Sequence, residues 1–118
     1  MRIGPLPKKW LIHSIVYKGF TGKKDDFGKP VYDPPITIEY VRYDESSVFS
    51  RDNTQTKILA DGVIFVDTTH SKPIPVFKEE SKITFNDGVK DRELTLKKIV
   101  PCYYPNQNKV HHYELEVI

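Results

Sequence analysis

A chain of 118 residues has the size of one domain and buries about 65% of its unfolded surface on folding, so residues 1–118 read as a single domain. Hydrophobic residues are 38% and charged residues 29% of the chain, with seven tyrosines and six phenylalanines, a balance that describes a thin, aromatic-filled core under much exposed loop. The 18 basic and 16 acidic side chains leave a net charge of +2 and form no blocks, which argues against a dedicated nucleic-acid binder, and a lone cysteine, Cys102, excludes an intramolecular disulfide.

Along the chain, Pro5, Pro7, Lys8 and Lys9 read as an extended amino-terminal arm. The apolar stretch from Trp10 to Tyr17 is broken by His13 and Ser14, has no small-residue cleavage site and is too short to span a bilayer, so neither export nor membrane insertion is expected. Alternation dominates throughout, and no segment shows two helical turns of apolar spacing. Strands are predicted at 10–18, 36–44, 56–60 with 63–67, 82–85, 89–100 and 110–118, all rich in β-branched and aromatic types. Asn86, Asp87 and Gly88 have the chemistry of a tight hairpin. Asp61 and Gly62 fit either a second hairpin or a glycine bulge inside one long strand. Leu94 and Leu96 share a face that Ile99 misses by one residue; a bulge at Lys97 and Lys98 would return Ile99 to the core. Long connections are expected at 19–35, 44–56 and 68–81. The fold class is therefore all-β, a small antiparallel β-barrel or sandwich with long loops.

The segment "KVHHYELEVI" carries the residue types of a metal or proton-transfer site. On a strand, however, His111 lines up with Tyr113, Leu115 and Val117, whereas His112 lines up with Glu114 and Glu116 on the other face. The two histidines then cannot be one ligand set; a metal would need ligands from a neighbouring strand, and none is expected. "KKDDFGKPVYD" lacks the spacing of a helical calcium loop. No serine has a strained strand-to-helix setting, and no phosphate-binding glycine loop is present. Cys102 in "VPCYYP" has no basic neighbour and is expected to be an inert, half-buried thiol. The chain therefore reads as a non-enzyme without cofactors. Tyr40, Arg42 and Lys18 could form a nucleic-acid-binding face on a small barrel, although the same mixture suits a protein interface.

Taken together, "PKKWLIHSIVY", "DFGKPVYDPPITIEYVRYD", "ADGVIFVDTTHSKP", "ITFNDG" and "VHHYELEVI", in this order and spacing, resemble the small minor capsid proteins of tailed phages and prophages of Gram-positive bacteria, a group similar to head-completion and head-to-tail connector proteins. The resemblance covers almost the whole chain. It implies a β-barrel subunit that self-associates into a ring in the virion neck, with portal and adaptor above, a tail completion protein below, and possible contact with packaged DNA in the channel. It also implies assembly in the bacterial host cytoplasm, in keeping with the reducing compartment, and no membrane partner. Gly28, Arg42, Asp67, Ser71, His111, His112 and Glu114 match the family pattern. Arg42 on an exposed strand face is the leading interface residue, suited to a carboxylate of a neighbouring subunit. Val48 and Phe49 are expected at a loop tip buried on assembly, and His112, Glu114 and Glu116 are expected to be offered to a neighbouring strand or subunit. The alternative function is a nucleic-acid-binding barrel, and less favoured still is a metal-dependent enzyme.

Overall fold

The computed structural model describes residues 4–49, 58–86 and 88–118, with the backbone alone described at 46–49 and 58–61. Eight strands follow one another: β1 (His13–Lys18), β2 (Phe20–Lys24), β3 (Pro30–Tyr32), β4 (Ile36–Phe49), β5 (Ile58–Asp67), β6 (Lys82–Asn86), β7 (Asp91–Tyr103) and β8 (Val110–Val117). Six close into an antiparallel barrel in the order β1-β4-β5-β8-β7-β6, with β6 pairing back onto β1; β2 and β3 form a separate two-stranded sheet. The all-β barrel expected from alternation is the fold found.

Inward residues of every barrel strand meet in one core, in which Ile38, Val41, Ile64, Val66, Leu96 and Leu115 are wholly buried. Strict alternation would not put all of them there, and bulges supply the missing parity. Ser14 faces Glu39 and His13 faces Val41, so Tyr40 is an extra residue, held at φ 59°. That left-handed backbone is costly for a tyrosine. It lets Ile38 and Val41 both point inward while Tyr40 turns out. At Lys97 the register slips between Leu96, opposite Val117, and Lys98, opposite Glu116, and Ile99 packs against the core as its apolar character requires.

Four expectations are corrected. Trp10 does not open a strand: Lys8–Trp10 is a 3₁₀ turn closed by Trp10 N–H donating to the Pro7 carbonyl at 2.9 Å, and β1 begins at His13. The 19–35 connection carries β2 and β3. The Asp61–Gly62 pair is neither hairpin nor bulge but lies inside continuous β5; the register slip sits on the facing strand, between Glu45 and Val48. Gly62 is needed because a Cβ there would stand 2.6 Å from the Tyr43 ring. Finally, β4 extends to Phe49, so Val48 and Phe49 are paired with Ala60 and Ile58 and form no loop tip; their side chains lie outside the described residues. The pairing is sustained because residues 46 and 47 face the single residue 61, a bulge of one extra residue that absorbs the mismatch.

The turn after β5 is organised by Asp67, which is wholly buried. Its Oδ2 accepts the N–H groups of Thr69 (3.0 Å) and His70 (2.9 Å), and its Oδ1 accepts Leu6 N–H at 3.1 Å, tying the amino-terminal arm across the end of β5. The Ser71 hydroxyl accepts the Asp67 N–H at 2.9 Å and donates to the Tyr40 carbonyl, clamping the bulge from outside. The peptide groups of Glu39 and Lys72 pair beside it. Asp67 and Ser71, both matching the family pattern, are therefore residues of folding. Replacing Asp67 by Ala orphans three N–H donors and should cost about 3 kcal/mol in urea unfolding. Gly62→Ala should cost about 2 kcal/mol by overpacking Tyr43, whereas Thr69→Ala should stay within about 0.5 kcal/mol of the parent.

Candidate functional site

Two neighbouring regions of the barrel's outer face gather the residues singled out from the sequence. The first lies where the amino-terminal turn crosses β4. Arg42 and Asp44 point outward from β4, and Arg42 Nε donates to Asp44 Oδ1 at 3.0 Å while its Nη1 donates to the Trp10 carbonyl at 3.3 Å. The guanidinium is thus oriented within its own chain, and an exposed pair of this kind adds little to stability. Around it opens a groove of about 210 Å³ lined by Leu6, Trp10, Leu11, Arg42, Asp44 and Phe65. A second, shallower groove of about 270 Å³ adjoins it through Leu11 and runs past Ile12 and Tyr40. Trp10 is 51% exposed, Ile12 67% and Tyr40 41%, a grouping of large apolar side chains on one face. Lys8 Nζ stands 4.4 Å over the Tyr40 ring in a cation–π contact within the chain.

The second region lies two strands round the barrel, on β8 and its neighbour β7. His112, Glu114 and Glu116 do share the outer face, and His111 is buried with Leu115 and Val117, as strand parity requires. The two histidines are nevertheless not separated. His111 sits at the barrel rim with its ring edge-on to Tyr104; its Nδ1 lies 2.7 Å from Nδ1 of His112 and its Nε2 lies 2.7 Å from the Gly4 carbonyl. Parity fixes where a Cβ points, and the longer reach of an imidazole lets the rings meet round the rim.

The neighbouring strand contributes a residue that sequence reasoning left out of the cluster. Cys102 on β7 is directly opposite His112 in the ladder, and its thiol donates to Glu114 Oε2 at 2.8 Å. Glu114 Oε2 also lies 3.9 Å from His112 Nε2. Among the described residues, Cys102, His112 and Glu114 are a set whose ligand atoms all fall within 4.8 Å of one another. Burial, then the hydrogen bond to Glu114 and its negative charge, push the Cys102 thiol up to about 11, so it is protonated and reacts only slowly at neutral pH, in keeping with the half-buried thiol expected. The signal that could have found the set was the 97–98 bulge, which determines that Cys102 and not its neighbours faces His112. Glu116 stands opposite Val63 and Lys98 and takes no part.

A family model described as minor capsid protein matches residues 7–117. The chain belongs to the minor capsid protein family. Neither a curated protein nor a solved structure matches it. Membership carries a general structural role in a phage virion. The match takes in β1 through β8 and so includes both regions.

Two histidines give this minor capsid protein a pH signature. Burial first, then the positive charge of Arg42, lower His13 below its ordinary value of 6.5, and its Nδ1 accepts the Tyr43 N–H at 3.1 Å. His112 is lowered by burial and by His111. A folded-state value below the unfolded one means that the unfolded chain takes up the extra protons; the stability is complete above 6.5 and is lost as pH falls below it. The urea midpoint should accordingly be flat above neutrality and decline toward about pH 5. His13→Asn, which keeps an acceptor for Tyr43, should reduce that slope.

Proposed function

We propose that this chain is a subunit of the virion neck, which joins with copies of itself in a ring that closes the DNA-filled head and docks the tail, with portal and adaptor proteins on one side and a tail completion protein on the other. The role is structural and involves no catalytic step. Family membership over nearly the whole chain supports it, and the observation that carries it is the pair of grooves that adjoin at Leu11, one bordered by the exposed Trp10 with Arg42 and the other by the exposed Ile12 and Tyr40. The closed barrel itself has no free edge strand to share, so neighbours would join it through such side-chain surfaces, the connecting loops or the edges of the small β2–β3 sheet. The patch on β4 and the polar face on β8 are different surfaces two strands apart, as a head-to-tail ring contact needs.

A strain lacking the gene should accumulate DNA-filled heads that leak or fail to join tails, scored by electron microscopy and plaque titre; fully infectious particles from that strain overturn the reading. Ile12→Asp and Arg42→Ala should each keep the unfolding free energy within about 1 kcal/mol of the parent. Both should still reduce incorporation into particles at least about tenfold, a loss of roughly 1.4 kcal/mol of contact energy. Salt-sensitive binding of DNA by the isolated chain, weakened by Tyr40→Ala, would instead favour the nucleic-acid-binding alternative.

A further inference from the structure

We propose that Cys102, His112 and Glu114 form a binding site for a zinc ion on the outer face of β7 and β8. The ladder builds the set. His112 and Glu114 are two apart on β8 and so project from one face, and Cys102 faces His112 across the β7–β8 pairing. Sulfur, imidazole nitrogen and carboxylate oxygen are the three donor types that zinc takes, and three protein ligands with a fourth position open to solvent is a common arrangement for it. Thiolate and carboxylate together carry the two negative charges that neutralise the ion, with His112 neutral. Around a tetrahedral zinc, donor atoms stand about 3.5 Å apart. Here Cys102 Sγ and Glu114 Oε2 are 2.8 Å apart, and Glu114 Oε2 and His112 Nε2 are 3.9 Å apart, so side-chain shifts on the order of 1 Å admit the ion.

A chain of hydrogen bonds outside the set points His112 toward the ion. The Gly4 carbonyl can only accept, so the proton between it and His111 is on His111 Nε2. A neutral His111 then offers its Nδ1 lone pair, and the 2.7 Å contact between the two rings is filled by the Nδ1–H of His112. His112 Nε2 is left with its lone pair exposed toward Cys102 and Glu114. Its 3.9 Å separation from Glu114 Oε2 is too long for a hydrogen bond, in agreement with a nitrogen that bears no proton. A backbone carbonyl that orients a ligating histidine through its second nitrogen is the usual support of a metal site, relayed here through one further ring. On coordination the Cys102 Sγ–H bond is replaced by an Sγ–Zn bond and one proton leaves to solvent.

The test uses the full chain, stripped with a chelator and titrated with zinc chloride, and with cobalt(II) chloride as a visible probe. Expected are one equivalent bound, a higher thermal midpoint, and for cobalt the intense visible bands of a tetrahedral site with a thiolate-to-metal charge-transfer band. Cys102→Ser, His112→Gln and Glu114→Gln should each weaken binding by about tenfold or more, and His111→Phe by about 10–100-fold with all three ligands intact, while His70→Gln leaves it unchanged. Because Cys102 is the single cysteine, alkylation of the parent chain reads the site without any substitution. One equivalent of zinc should slow it about tenfold or more. Zinc binding that survives Cys102→Ser unchanged, or an alkylation rate that zinc does not alter, overturns the proposal.

Discussion

The carboxylate of Asp67 is the point on which much of the fold turns. It closes the turn after β5, accepts the arm through Leu6, and sets the backbone from which Ser71 reaches Tyr40. That clamp holds the backbone at Tyr40, whose left-handed conformation lets Ile38 and Val41 both face the core. Without Asp67 the arm would lose the Leu6 anchor and keep the one made by the Gly4 carbonyl on His111. One buried side chain thus links the parity of β4, the position of the arm and the orientation of the histidine pair. Such a charge is tolerable inside only because every donor around it is a fixed peptide N–H.

Much of the fold could be read from alternation, because period-two patterning is what a half-buried strand imposes on its residues. The bulge at Lys97 and Lys98 was legible from the misplaced Ile99. The bulge at Tyr40 was not, since Tyr40 and Arg42 look like a regular outer face until Ile38 and Val41 are both required inside. The extension of β4 through Val48 and Phe49 was hidden by the polar "DESS" run, whose serines do not resemble a strand but are carried by the long β5 opposite. Trp10 belongs to a turn because Pro7 and the lysines that follow favour a local hydrogen bond over a ladder.

The candidate sites divide along the same line. That His112 shares a face with Glu114 and Glu116 follows from spacing alone. That Cys102 joins them depends on ladder register, a long-range quantity set by the bulge at Lys97 on β7, and no local pattern encodes it. The meeting of His111 and His112 depends on rotamers at a barrel rim, where a ring can turn past the strand edge. Arg42 was recognised as outward-facing, but its tether to Asp44 and the Trp10 carbonyl required the arm to be folded back first.

Closure of the barrel has a mechanical meaning as well. An open sheet can be peeled from an exposed edge one pair at a time, whereas a hoop of ladders offers no end at which peeling can start. A sideways load is shared round the whole circumference until one seam parts. The shortest seam is the one between β1 and β6, where four residues from Ile15 to Lys18 meet four from Lys82 to Phe85. That seam has β4 on its β1 side and β7 on its β6 side, so a pull on the patch and a pull on the polar face reach it from opposite flanks.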